Sequence, residues 1–200
     1  MKFPAVKFIV TGLVFFTIFS ACKPEFSAKP RAYYRIALPA KEYIPLEGNY
    51  PYRFDIPKYA RIEPYSGTQA NADTTRYWMN IGFPQFRSRI HITYKQVLNN
   101  LPNLIDDAHT FAFKHSIKAD AINQHEYSNP DNHVFGILFD IKGNTASSLQ
   151  FYLTDSTRHF LRGALYFDNE PNKDSIAPVN DFLRQDIERL IETLTWNFKP

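Results

Sequence analysis

Asp155-Ser156-Thr157-Arg158-His159 brings a carboxylate, two hydroxyls and an imidazole together, the groups from which nucleophilic catalysis is built. A working triad needs its imidazole within hydrogen-bond reach of the hydroxyl, and neighbours on one turn seldom present that geometry. Asp, Ser and Thr are also turn formers, and here they stand between two strand-like runs, so the segment reads as a turn. No GxSxG, HExxH, Walker loop or GxGxxG occurs anywhere in the chain. Six histidines (His91, His109, His115, His125, His133 and His159) are scattered, and His109 and His115 fall on different faces of one predicted helix. Glu188 and Glu192 lie one turn apart, but Arg184 and Arg189 stand at helical pairing distance from them. No catalytic residue, no cofactor and no metal site is expected.

Cys22 is the only cysteine, and its neighbours define its chemistry. Lys2 and Lys7 give a positive start, and an apolar run from Phe8 to Phe19 follows, broken only by Thr11, Gly12 and Thr17. Small residues Ser20 and Ala21 come next. This order is that of a secretion signal, and the apolar run is too short to span a bilayer. Phe19-Ser20-Ala21-Cys22 resembles the lipobox of bacterial lipoproteins, where the thiol takes a diacylglycerol through a thioether and cleavage falls just before it. Residues 1–21 are therefore expected to be a signal peptide and Cys22 the lipidated amino terminus, held by acyl chains worth ~0.8 kcal/mol per buried methylene. A lone cysteine forms no internal disulfide, so core packing must supply stability. Loss of Lys2 and Lys7 lowers the formal charge from +3 to +1, which is no footprint for nucleic acid.

These groups need elements to position them. Residues 22–49, with Pro24, Pro30, Pro39 and Pro45, read as a proline-rich tether, or as a segment lying partly along the domain. Residues 50–200 read as one globular domain. Short strands are expected at 50–55 and 59–63, then a polar loop at 65–75. Residues 76–83 and 87–95 alternate apolar with polar, and Pro84-Gln85-Phe86 joins them as a hairpin. The period then changes to that of a helix over 101–116, with Asn99 or Asn100 as N-cap and Pro102 in its first turn. Residues 119–127 are ambiguous between strand and turn. The runs 133–141, 147–154 and 159–167 are separated by links short enough for hairpins, which makes them antiparallel neighbours. A final helix carries Val179, Leu183, Ile187, Leu190, Ile191 and Leu194 on one stripe, with Pro178 and Asn180 marking its start. The fold class is α+β: one domain, an antiparallel β-sheet packed with two main helices, resembling the α/β/α sandwich of PsbP-like proteins. Trp196 and Phe198, just past the stripe, form either an apolar partner surface or, through Trp196, a plug closing the core.

The chain is similar to the gliding motility lipoprotein GldD family of the Bacteroidetes. The resemblance runs through PYRFDIPKYARI (51–62), WMNIGFPQFRSRIHITYKQVLNNL (78–101) and KHSIKADAI (114–122). It is strongest in GILFDIKGNTASSLQFYLTDSTRHFLRGALYF (136–167) and DSIAPVNDFLRQDIERLIETLTW (174–196). The resemblance implies a cell-envelope lipoprotein needed for gliding and for the type IX secretion system. Its partners would be the membrane, through the anchor, and other gliding or secretion proteins of the envelope. The family has no assigned catalytic residues, so only the lipid-anchor cysteine carries over, onto Cys22. Lys23 stands where an Asp retains many lipoproteins in the inner membrane, so the outer membrane is expected, with the inner membrane as the alternative. Lys23-Pro24-Glu25-Phe26 is poorer in acids than the stretch that directs surface export in that phylum, so the anchor is expected to face the periplasm. Asp73-Thr74-Thr75, Asp155-Ser156-Thr157 and Asp174-Ser175-Ile176 read first as simple turns, but they also fit the O-glycosylation pattern of that phylum, which makes Thr74, Ser156 and Ser175 candidate glycan sites. The leading expectation is a non-catalytic accessory or scaffold protein. The alternative is a periplasmic lipoprotein that binds a small ligand or lipid between sheet and helices, and a third reading is a hydrolase built on residues 155–159.

Overall fold

The computed structural model describes residues 36–65, 75–114, 116–168 and 172–197. Cys22, Thr74 and Phe198 lie outside them. Three short strands come first: β1 (Tyr43–Pro45), β2 (Tyr52–Arg53) and β3 (Asp55–Pro57). β4 (Arg61–Pro64), β5 (Met79–Phe83), β6 (Ser88–Gln96), β7 (Ala119–Asn129), β8 (Val134–Gly143), β9 (Ser147–Thr154) and β10 (His159–Phe167) form the main sheet. Its order is β4-β5-β6-β10-β9-β8-β7, with every neighbouring pair antiparallel. The chain lays down β4 to β6 from one edge inward. Helix α1 (Leu101–Phe113) then carries it to the far edge, and β7 to β10 return as a meander until β10 docks on β6. Helix α2 (Lys173–Thr193) and β11 (Thr195–Trp196), which pairs with β2, complete the described chain.

Strand side chains alternate between faces, so neighbours in sequence serve different helices. Tyr152, Phe139, Ile141 and Phe160 pack with Leu104, Ala108 and Ala112 of α1. Phe151, Leu149, Leu153, Leu161 and Leu165 pack with Leu183, Ile187 and Leu190 of α2. Helix, sheet and helix thus form three layers, the α+β arrangement expected from the sequence. Gly163 makes room on the α2 side, because a Cβ there would run into the Phe151 ring.

β9 and β10 occupy the expected 147–154 and 159–167. Elsewhere the boundaries move for local reasons. Pro84–Phe86 joins β5 to β6 as a 3-10 turn, closed by Arg87 in the left-handed region at φ 47°. Residues 119–129 are a strand throughout. α1 begins after Asn100, but the Asn100 carboxamide turns backward and accepts the Leu98 amide at 2.8 Å rather than capping the helix. α2 starts five residues before Pro178, because Asn172 caps it by accepting the Ser175 amide at 3.2 Å. Residues 36–49, the described part of the expected tether, join the domain: β1 pairs with β3, and Leu46 is buried in the core.

Candidate functional site

The 155–159 cluster is the turn between β9 and β10. One Asp155 carboxylate oxygen accepts the amides of Thr157, Arg158 and His159 at 2.8–3.0 Å, and the other accepts the Thr157 hydroxyl at 3.1 Å. Burial raises the Asp155 pKa, but those three amides outweigh it and hold the carboxyl below its ordinary range. Ser156, exposed at the tip, adopts φ 66°, the left-handed conformation the turn requires. His159 turns inward: Nδ1 is 2.7 Å from the Tyr94 hydroxyl, and its ring stacks on Trp196 with centroids 5.1 Å apart. Burial pushes the imidazole pKa down and the Tyr94 phenol up to about 12. The carboxylate therefore serves the backbone, and the imidazole serves aromatic packing.

Trp196 is 5% exposed and donates its indole N–H to the His133 carbonyl at 2.9 Å. It closes the core instead of forming an apolar partner surface, since β11 folds back onto β2 and carries the ring inward. Ser175 is exposed in the first turn of α2. Among the described residues no group of three His, Cys, Asp or Glu side chains is placed to hold a metal ion. No described helix is long and apolar enough to cross a membrane.

A second buried polar cluster, which the sequence did not reveal, lies on α2. Asp186 falls on the buried stripe between Phe182 and Leu190, with its side chain 1% exposed. Its carboxylate meets the Lys41 ammonium at 2.7 Å, accepts the Tyr43 hydroxyl at 2.9 Å, and accepts the Tyr59 hydroxyl. Lys41 also donates to the Phe182 carbonyl at 2.7 Å and sits over the Phe182 ring, 3.4 Å from its centroid. Desolvation lowers the Lys41 pKa against the pull of Asp186. Burial, followed by the bond to Asp186, pushes both phenols far up, so they remain donors at any physiological pH. This clasp fastens the chain between Lys41 and Pro45 to the helix. Its signal in the sequence was a carboxylate at a position of the apolar stripe, spaced four residues from Phe182 and from Leu190.

The arginines expected to pair with Glu188 and Glu192 reach across the fold instead. Arg184 meets the buried carboxylate of Asp140 at 2.7 Å, alongside Lys142 at 2.8 Å, and Arg189 meets Asp55 at 2.6 Å. Glu188 and Glu192 are left on the rim of a groove of about 250 Å³ between α2 and β7, floored by Leu138 and Ile191 and flanked by His125 and Tyr127. β7 is the outermost strand here, and among the described residues no strand pairs with its outer side. Such an edge presents a row of backbone donors and acceptors to an incoming chain.

The family model of the gliding motility lipoprotein GldD matches residues 23–196. A comparison with curated proteins finds no match. The matched stretch takes in the Asp186 clasp, both helices and all seven strands of the main sheet. The chain accordingly belongs to the gliding motility lipoprotein GldD family, whose members are lipid-anchored proteins of the cell envelope associated with gliding motility.

Proposed function

We propose that the protein is a non-catalytic assembly lipoprotein of the gliding apparatus and of type IX secretion. Residues 1–21 act as the export signal, acyl chains on Cys22 hold the mature chain in the outer membrane facing the periplasm, and residues 22 to about 40 act as the tether. The reading is supported chiefly by the family match, which begins one residue after Cys22 and runs to the end of β11. The open edge of β7 and the acidic-rimmed groove beside it offer the contact surface, through strand addition by an extended segment of a neighbouring envelope protein. Thr74, Ser156 and Ser175 stay candidate glycan sites, and peptide mass spectrometry of the native protein decides them.

A chromosomal Cys22→Ser variant tests the reading. Labelled palmitate should enter the parent protein and not the variant. The variant should leave the membrane fraction, and both cell spreading and secretion of type IX cargo should fall. Normal spreading and normal cargo secretion in a strain lacking the gene would refute the role. Crosslinking in intact envelopes should join β7 peptides to other gliding proteins.

A further inference from the structure

Where β6 ends and β10 begins, the sheet opens into a cleft of about 730 Å³, within the range of about 300–1,000 Å³ typical of small-ligand sites. Tyr94 and Trp196, both under a tenth exposed, form its inner part. Tyr50 and Tyr77, half-buried, belong to its walls, and Arg53 and Gln96 are exposed on its rim.

The walls are fixed before any ligand arrives. Tyr50 stacks on Tyr52, and Tyr77 meets Tyr94 edge to face, with centroids 5.5 and 5.6 Å apart. The Tyr52 hydroxyl donates to the Tyr77 carbonyl at 2.6 Å. Asn197 donates its amide to the Pro51 carbonyl at 2.9 Å and its side-chain N–H to the Tyr50 carbonyl at 2.8 Å. Three distant chain segments thereby hold one shape, which lowers the ordering cost of binding.

The chemistry of the lining selects a ligand class. Aromatic faces suit flat, weakly polar C–H surfaces, whereas amides, a guanidinium and phenols supply planar donors and acceptors. Among the described lining residues there is no carboxylate and no lysine, and one guanidinium is poor provision for phosphates. So polar a rim does not suit an acyl chain. A sugar ring combines an apolar C–H face with hydroxyls around its edge. We infer that this cleft binds a neutral oligosaccharide, with pyranose rings lying against Tyr50 and Tyr77 and hydroxyls bonded by Gln96 and Arg53. In the cell envelope such a ligand can come from wall glycan or from glycans carried by other proteins.

The test uses the full-length protein in detergent micelles, titrated with chitotetraose and separately with maltotetraose. Tryptophan fluorescence and saturation-transfer NMR are the readouts. Saturable binding is expected, weakened about tenfold or more by Tyr77→Ala. Gln96→Ala, at an exposed strand end, should give a comparable loss with the unfolding midpoint unchanged, which separates binding from folding. Binding of chitotetraose alone assigns the N-acetylated glycan of the wall, and binding of both assigns pyranose chains in general. If neither sugar gives a saturable signal up to about 10 mM, or if both variants bind as the parent does, the inference is overturned.

Discussion

Replacing Asp186 by Asn changes one atom of the clasp and should cost more stability than most single changes. The carboxylate takes three donors: the Lys41 ammonium at 2.7 Å, the Tyr43 hydroxyl at 2.9 Å, and the Tyr59 hydroxyl. A hydrogen bond to a charged group is worth about 1.5–3 kcal/mol, against about 0.5–1.5 for a neutral one, so downgrading three contacts costs about 1 kcal/mol each. The amide also turns an N–H toward one of the phenols, where donor meets donor. Breaking a fully buried ion pair costs about 3–5 kcal/mol. Here the figure is smaller, since the Lys41 side chain is 22% exposed and keeps the Phe182 carbonyl. The expected loss is therefore about 2–4 kcal/mol, at about 2–4 °C of melting temperature per kcal/mol for a domain of this size.

Urea unfolding followed by circular dichroism measures it through the midpoint at constant slope. The partner experiment is the double variant Lys41→Met with Asp186→Leu, which removes both charges and fills the space with apolar atoms. It should be more stable than Asp186→Asn, because no unpaired charge is left buried. A loss under about 0.5 kcal/mol for Asp186→Asn, the level of an ordinary surface change, would mean that the buried charge contributes nothing. A double variant whose loss equals the sum of the two single losses would refute the reasoning.

A Cβ at Gly136 would meet the Tyr152 carbonyl across the β8–β9 pair, where backbone cannot yield. Gly136→Ala should cost about 1–3 kcal/mol or more by urea unfolding, and an unchanged midpoint would mean the strands lie further apart. Leu183, fully buried under the sheet, should lose about 2–5 kcal/mol on change to Ala, and a smaller loss would mean α2 packs loosely there. Burial favours neutral His91 and His159, pushing both imidazole pKa values below the ordinary 6.5. The unfolded chain therefore binds protons first as pH falls, so the stability these histidines contribute is complete above 6.5 and is lost toward their lower folded values. NMR titration should show both imidazoles titrating below 6.5, and a value at or above 6.5 for His159 would contradict its burial against Trp196.

The legible parts of the sequence were those where one physical pattern acted alone. β9 and β10 each have buried apolar residues, and turn formers stand on both sides of their shared hairpin, so composition and period agree. β7 defied the same reading because it is an outer strand. ADAINQHEYSN has few apolar residues, and among the described residues one neighbouring strand holds its backbone. The start of α2 was hidden by Pro178, which looks like a first-turn proline but sits one and a half turns inside a helix already capped by Asn172. The clasp was hidden for another reason. Lys41, Tyr43, Tyr59 and Asp186 come from three separated segments, and only the fold brings them together. The 155–159 cluster, by contrast, is contiguous, and contiguity made it conspicuous and kept its hydroxyl and imidazole apart in role.

The charged side chains of α2 follow a common logic. Arg184 reaches β8 through Asp140, Arg189 reaches β3 through Asp55, and Asp186 reaches the first described segment through Lys41, Tyr43 and Tyr59. The Arg189 pair is partly exposed and contributes little by itself. The Asp186 clasp is buried and hydrogen-bonded at every donor it meets. β1 has three residues and, among the described strands, pairs with the equally short β3, a ribbon that would fray without support. The clasp removes that weakness by tying the same segment to a 21-residue helix whose apolar stripe is sealed under the sheet. Any pull arriving through the amino-terminal side of the domain then acts on α2 and the sheet core together, and the weak ribbon is spared. The scaffold role proposed above, with the chain fixed at one end, would need that coupling, and a buried carboxylate on the helix supplies it with one residue.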